Sequence, residues 1–241
     1  MGPERVADIE AAAYLAWPPA ITEQHDGWIM RYGDGFSRRL NSVTIGLDAA
    51  TDRVEARLTA AGAWLSAHGT PLVARLTTAS PASIDTAFGE LGLVVEGRTV
   101  VMTANLEPSP TTPRALLSAP SPGWLAAQET WMGISDSRGW RTVLGRISPP
   151  SAFGERVVDG RVAAVGIGVV RDGWLGIFEV TTDPALKRRG HARGLVDSLL
   201  EWGVAAGATS AFLQVVETNH PAIELYGGFG FTEAYRYWYR R

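Results

Sequence analysis

The chain has 241 residues, of which 46% are apolar and 20% charged, the proportions of a globular protein rather than a disordered one. Its 22 Lys and Arg against 25 Asp and Glu give a formal net charge of −3, which argues against a protein whose business is coating nucleic acid. No cysteine is present, which excludes a disulfide scaffold, a thiolate-held zinc or iron–sulfur site and a cysteine nucleophile.

The first residues lack the charged-then-apolar pattern of a signal peptide, and no apolar run approaches the ~20 residues that span a bilayer. The expected location is the cytoplasm, with no membrane partner. Residues 6–17 have helical spacing and stop at Pro18-Pro19. Residues 27–32 and 41–45 read as a strand pair. Residues 52–68 read as a helix, with Val54, Leu58, Ala61 and Leu65 on one stripe and Gly69 at its end. Residues 72–76 form a predicted strand, 83–90 a short helix, and 93–106 one or two strands broken at Glu96-Gly97. Five prolines follow: Pro108, Pro110, Pro113, Pro120 and Pro122. Proline removes backbone donors and disfavours helix in the residue before it, so residues 108–123 read as a semi-extended linker between a half at 1–107 and a half at 124–241.

The second half opens with predicted helices at 124–131 and 138–147. A hairpin turns at Asp159-Gly160 between 155–158 and 161–170, and Asp172-Gly173 leads into a strand at 175–182. A basic loop, a helix at 193–206, a strand at 211–216, a short helix at 221–226 and a strand at 233–239 complete the chain. The two halves resemble each other. Trp64 and Trp202 lie 138 positions apart, and the same offset links Gly69 to Gly207, Gly89 to Gly227, Gly92 to Gly230 and Arg98 to Arg236. With the matching order of elements, this predicts an internal duplication.

The stretch that carries chemistry runs from Glu179 to Trp202. A predicted strand enters Lys187-Arg188-Arg189-Gly190-His191-Ala192-Arg193, and an amphipathic helix follows. A glycine lets a backbone approach phosphates closely, and the first turn of a helix presents unpaired N–H groups with about half a positive charge. The pattern suits a bound pyrophosphate, and a solvated basic loop is the plain alternative.

These residues resemble the pyrophosphate loop of the GNAT superfamily of acyl-CoA N-acyltransferases, whose pattern is Arg/Gln-x-x-Gly-x-Gly/Ala. Lys187 stands at the first position, Gly190 at the fourth and Ala192 at the sixth. Lysine there keeps the charge and loses the planar fork of arginine. Asn219, Ala222, Tyr226 and Gly230-Phe231 resemble the family's N-x-x-A-x-x-x-Y followed by G-F. The resemblance covers residues 112–241 and implies an α/β fold with a twisted mixed sheet flanked by helices in each of two such domains, the first one degenerate. It implies acetyl-CoA as donor, a gap between two splayed parallel strands for its pantetheine arm, and binding by Val180, Thr181, Thr182, Lys187, Arg188, Arg189, Gly190, His191, Ala192, Arg193, Asn219 and Tyr226. A primary amine, on a small molecule or a peptide, is the implied acceptor and attacks the thioester directly.

Tyr226 is the candidate general acid and Glu179 the candidate general base, with Glu217 as its substitute. A core aromatic and a surface glutamate are the competing readings. Deprotonating an ammonium of pKa near 10 at neutral pH costs about 4 kcal/mol, which a carboxylate, direct or through water, would help to meet. Asn219 could hold the cofactor arm or cap the next helix. His191 would serve through its backbone N–H, and the four histidines show no metal-ligand spacing. Gly166-Ile167-Gly168 starts a dinucleotide fingerprint but lacks the third glycine. At the 138 offset Gly190 maps onto Asp52, which fits capping rather than phosphate, so the first half is expected to shape an acceptor pocket, with Trp28, Arg31, Arg38, Arg39 and Asn41 as lining candidates. A longer acyl donor and a non-catalytic CoA-binding module are the rival functions.

Overall fold

The computed structural model describes residues 1–108, 115–134 and 137–241. In the first half, helix α1 (Pro3–Ala16) precedes β1 (Ile21–His25), β2 (Trp28–Tyr32), β3 (Ser42–Ile45), α2 (Val54–Ala67), β4 (Ala74–Thr77), α3 (Ala82–Glu90) and β5 (Val95–Asn105). In the second, helices α4 (Pro122–Met132) and α5 (Arg138–Arg146) precede β6 (Ser151–Val158), β7 (Arg161–Arg171), β8 (Trp174–Thr182), α6 (His191–Ala205), β9 (Ser210–Val216), α7 (His220–Gly227) and β10 (Thr232–Arg240).

Local chemistry sets most of these boundaries. The Asp26-Gly27, Asp159-Gly160 and Asp172-Gly173 turns all hold both residues at positive φ, as two-residue hairpin turns that match the strand twist require. The first of them reveals β1, absent from the sequence expectation because its residues are all exposed and show no apolar alternation. Within the expected 93–106, Val95–Asn105 makes one strand, with Gly97 at φ 58 rather than a break. Of the expected linker, residues 109–114 lie outside the described residues. At its end Ser121 caps α4 by accepting from the Trp124 N–H at 2.9 Å, and Pro122 opens the helix, where a missing N–H costs nothing.

The strands form one ten-stranded mixed sheet, ordered β1-β2-β3-β4-β10-β5-β9-β8-β7-β6. Its two wings match. The parallel pair β3–β4 followed by a helix corresponds to β8–β9, and α2, β4 and α3 fall on α6, β9 and α7 at the offset of 138. The halves are not closed sheets side by side, however. Strand β5 of the first half pairs with β9 of the second, and β10 pairs with β4 of the first, so each half gives its last strand to the other. Strands β5 and β10 then pair with each other at the centre.

Helices cover both faces. On one, α1, α4 and α5 bury Trp17, Trp124 and Trp140 against Phe178, Phe212 and the tyrosines of β10. On the other, α6 and α7 cover Leu175, Ile177, Leu213 and Val215, while α2 and α3 cover Met30, Val43 and Leu76. Gly166 and Gly168 of β7 serve this packing. A Cβ at Gly166 would stand 3.3 Å from Leu195 of α6, and one at Gly168 would stand 3.1 Å from Trp202 of the same helix, so both glycines let the helix sit close on the sheet. Among the polar groups of the core, Arg75 of β4 binds Glu10 of α1 in a buried, two-pronged pair joined by the Tyr235 hydroxyl.

Candidate active site

Strands β8 and β9 run side by side from Trp174↔Ser210 to Ile177↔Leu213 and then part. Beyond that point β8 keeps only its partner β7, through Thr181↔Val165 and Thr182↔Ala164, and β9 keeps only β5, to Val216↔Thr99. Backbone groups of Phe178 to Thr182 on one side and Gln214 to Val216 on the other thus border a wedge-shaped opening. A strand edge left bare in this way is suited to pairing with another amide-bearing chain.

The parting coincides with an irregularity. The β7–β8 register shifts between Val165 and Ile167, opposite Glu179 and Val180, and Glu179 has φ 54. The extra residue puts Phe178 and Glu179 on the same face, towards α5, while Val180 faces α6. Gln128 of α4, fully buried, fixes the bulge. Its Nε2 donates to the Glu179 carbonyl and its Oε1 accepts from the Thr181 hydroxyl at 3.1 Å. Gln128 was not anticipated, although a lone amide four residues after Trp124 on an apolar helix face is a signal of this kind.

Burial raises the pKa of the Glu179 carboxyl above the usual carboxylate range, and Arg39 and the Trp140 indole, both close by, offset part of that rise. Tyr226 lies in the core of the opposite face with Leu213 and Val215 of β9, its ring 6.0 Å from Phe231. Burial pushes its phenol up to about 12, so it holds its proton throughout the physiological range. Glu217 follows β9 in the turn before α7 and faces Arg236 at 3.4 Å and Arg98 at 4.0 Å. Asn219 caps α7, accepting from the Ala222 N–H at 3.3 Å.

From Thr182 the chain passes Asp183, whose Oδ1 accepts from the Ala185 N–H at 2.8 Å and starts a 3-10 turn, Pro184–Leu186. Lys187, Arg188, Arg189 and Gly190 are exposed, and Gly190 (φ 78) immediately precedes α6. A Cβ built on Gly190 meets nothing within 4 Å, so the space over the first turn of α6 is open. The N–H groups of His191, Ala192 and Arg193 have no partner one turn earlier in the helix. Residues 187–193 therefore fit a diphosphate through backbone donors and surrounding charge. The Arg193 side chain itself turns back over the segment that follows α7, 5.0 Å over the Phe229 ring.

The first half lacks both features. The end of β3 and the end of β4 are bridged by Ser80, whose Oγ accepts from the Thr77 N–H at 2.9 Å and donates to the Ile45 carbonyl at 2.6 Å. At the head of α2, Asp52 pairs with Arg53 and Arg57, placing a carboxylate where a phosphate would sit. Of the expected pocket residues, Trp28 and Arg31 are corrected to structural roles. Trp28 is buried and donates to the Ala50 carbonyl, and Arg31 is buried and donates to the Trp17 and Arg39 carbonyls. Asn41 shapes the 33–40 loop. Arg38 pairs with Glu96 at 2.8 Å, and Arg39 alone of the five lies near Glu179.

A mixed sheet that parts between two parallel strands, with a glycine-led helix start beyond the parting, defines a GNAT-type acetyltransferase. A family model described as "Probable histone acetyltransferase Rv0428c C-terminal" matches residues 5–240, and the chain belongs to that family. The uncharacterized N-acetyltransferase YobR of Bacillus subtilis is 26% identical over 246 residues, covering 98% of each chain. The [ribosomal protein bS18]-alanine N-acetyltransferase of Salmonella typhimurium is 36% identical over 76 residues, 32% of this chain and 51% of that one. A solved GCN5-related N-acetyltransferase from Kribbella flavida shares the fold at a TM-score of 0.73 and 15% identity, covering 97% of this chain and 94% of that one. Among the described residues no helix is long and apolar enough to cross a membrane, and no three or more metal-ligating side chains gather.

Proposed function

We propose that this protein is an N-acetyltransferase that moves an acetyl group from acetyl-CoA to a primary amine by direct attack, in the cytoplasm. The observation that carries the reading is the wedge beyond Ile177 and Leu213, with the open glycine turn at its far end. Bound acetyl-CoA supplies the activated thioester acyl group. Backbone groups of Val180, Thr181 and Thr182 hold its amide-bearing arm, and residues 187–193 hold its diphosphate.

Glu179 accepts the proton of the attacking amine, directly or through water. Its raised pKa makes it a stronger proton acceptor than an ordinary carboxylate. Tyr226 donates a proton, or a hydrogen bond, to the leaving sulfur, and its high pKa keeps that proton available. No nucleophilic cysteine enters, in keeping with a chain that has none. Residues 124–241 form the catalytic half, residues 1–107 a degenerate copy and 108–123 the link. The bridged β3–β4 end and Asp52 support that division of labour. The acceptor is a small-molecule or peptide amine. The similarity to an enzyme named for the alanine of a ribosomal protein supports an α-amine.

The test is thiol release from acetyl-CoA across an amine panel, paired with thermal shift on adding CoA. We expect release with at least one amine and a rise in Tm. Tyr226→Phe should lower kcat by roughly 10²-fold with little change in KM for acetyl-CoA. A Tm that does not move at saturating CoA overturns the reading.

A further inference from the structure

One cation of the first half, Arg39, lies close enough to Glu179 of the second to draw its carboxyl down, yet forms no salt bridge with it. Arg39 sits in the 33–40 loop, and that loop is fixed from several sides. The Asn41 Oδ1 accepts from the Gly33 and Gly35 N–H groups, and its Nδ2 donates to the Phe36 and Ser37 carbonyls at 2.9 and 2.8 Å. Arg31 donates to the Arg39 carbonyl at 3.2 Å. Asp34 pairs with Arg146 of α5, and Gly139 of the same helix lies against the Asp34 carbonyl and Phe36. The first half is thereby clamped onto the helix that brings Trp140 to Glu179.

From this fixed backbone the Arg39 guanidinium reaches over the rings of Trp17 and Phe178, at 6.0 and 5.9 Å. Phe178 immediately precedes Glu179. The Arg39 Nε is buried and has no hydrogen-bond partner among the described residues, and Arg39 makes no salt bridge there. The Nε is sealed from the surface, so an incoming oxygen acid would meet the terminal nitrogens of this half-buried side chain, whose planar fork suits a carboxylate. A fixed positive charge beside the base also disfavours an acceptor that arrives as a bare ammonium. An acceptor that carries its own carboxylate near the amine cancels that repulsion.

We infer that the acceptor is an amino acid or closely related aminocarboxylate, its amine directed to Glu179 and its carboxylate held by Arg39. This rests on the acetyltransferase reading above. It makes Arg39 a specificity-determining residue donated by the half that has lost its own donor site.

Matched sets test it: leucine, leucine methyl ester and isopentylamine; phenylalanine, phenylalanine methyl ester and phenethylamine. With acetyl-CoA, kcat/KM from thiol release should favour each free acid over its ester and its amine by at least roughly tenfold, the usual effect of losing one charge-assisted contact. In Arg39→Gln that preference should fall to within about twofold, and Arg39→Lys should keep part of it. A retained rise in Tm with acetyl-CoA checks that each variant is folded. Equal rates within the sets for the unaltered protein overturn the inference, whatever the variants do. So does a preference that survives in Arg39→Gln, or turnover confined to esters and peptide N-termini. Thiol release at equal rates leaves the transferase reading standing, whereas no release with any amine overturns both.

Discussion

Glu179 sits at φ 54, a conformation few residues other than glycine adopt, and such strain of about 1–3 kcal/mol persists where surrounding contacts impose it. Gln128 imposes it here, through the carbonyl of Glu179 and the hydroxyl of Thr181. The carboxyl is favoured in its neutral form by burial, so its contribution to stability is full at pH below the ordinary glutamate value and is lost as pH rises through the raised one. Glu179→Gln removes that loss. The variant should match the unaltered protein in Tm near pH 4 and exceed it near pH 8, while kcat/KM for the best amine falls by roughly 10²-fold. An unchanged rate, or a lower Tm at pH 8, would show that the carboxylate is held for structure. The placement of Glu179 on a strand, of Tyr226 on a short helix and of Gly190 just ahead of a longer one was legible in the sequence, because residue type and spacing carry it. The bulge was not, since strand alternation alone gives Glu179 a face without revealing the extra residue. Asn219 was legible only as a choice between two roles, and its contact with the Ala222 N–H is a cap.

At the level of elements, the same strand–helix–strand unit occurs twice with opposite outcomes. Between β8 and β9 the wedge stays open, whereas between β3 and β4 one hydroxyl spans the ends. Ser80→Ala leaves the Thr77 N–H and the Ile45 carbonyl unpaired and should cost about 1–3 kcal/mol in urea unfolding. It should create no second donor site, because Asp52 still stands at the start of α2. Titration calorimetry with CoA should give one site per chain before and after the change; two sites in the variant would show that Ser80 alone silences the first half. The degeneracy could be read from Asp52 against Gly190. The bridge could not, since Ser80 reveals its role only once both strand ends are in place.

Across the whole molecule, the exchange of β5 and β10 makes each half dependent on the other. The sequence gives two similar runs of elements but holds no local sign of which β strand pairs across the middle, and Trp238↔Leu76 joins residues far apart in the chain. Residues 124–241 made alone would expose the edge of β9 where β5 belongs, and should elute as dimers or aggregates rather than as a folded monomer. Co-expression with residues 1–107 should restore a stoichiometric complex that CoA stabilises, measured by size exclusion and thermal shift. A monomeric, cooperative 124–241 fragment would contradict this. The exchange also bears on biosynthesis. Strand β10, latest of the ten to leave the ribosome, fills a central slot between β4 and β5. The early residues must therefore wait, their hydrophobic edge unprotected, until residues 232–240 have been translated, and a nascent chain stalled before residue 232 is an obvious client for chaperones.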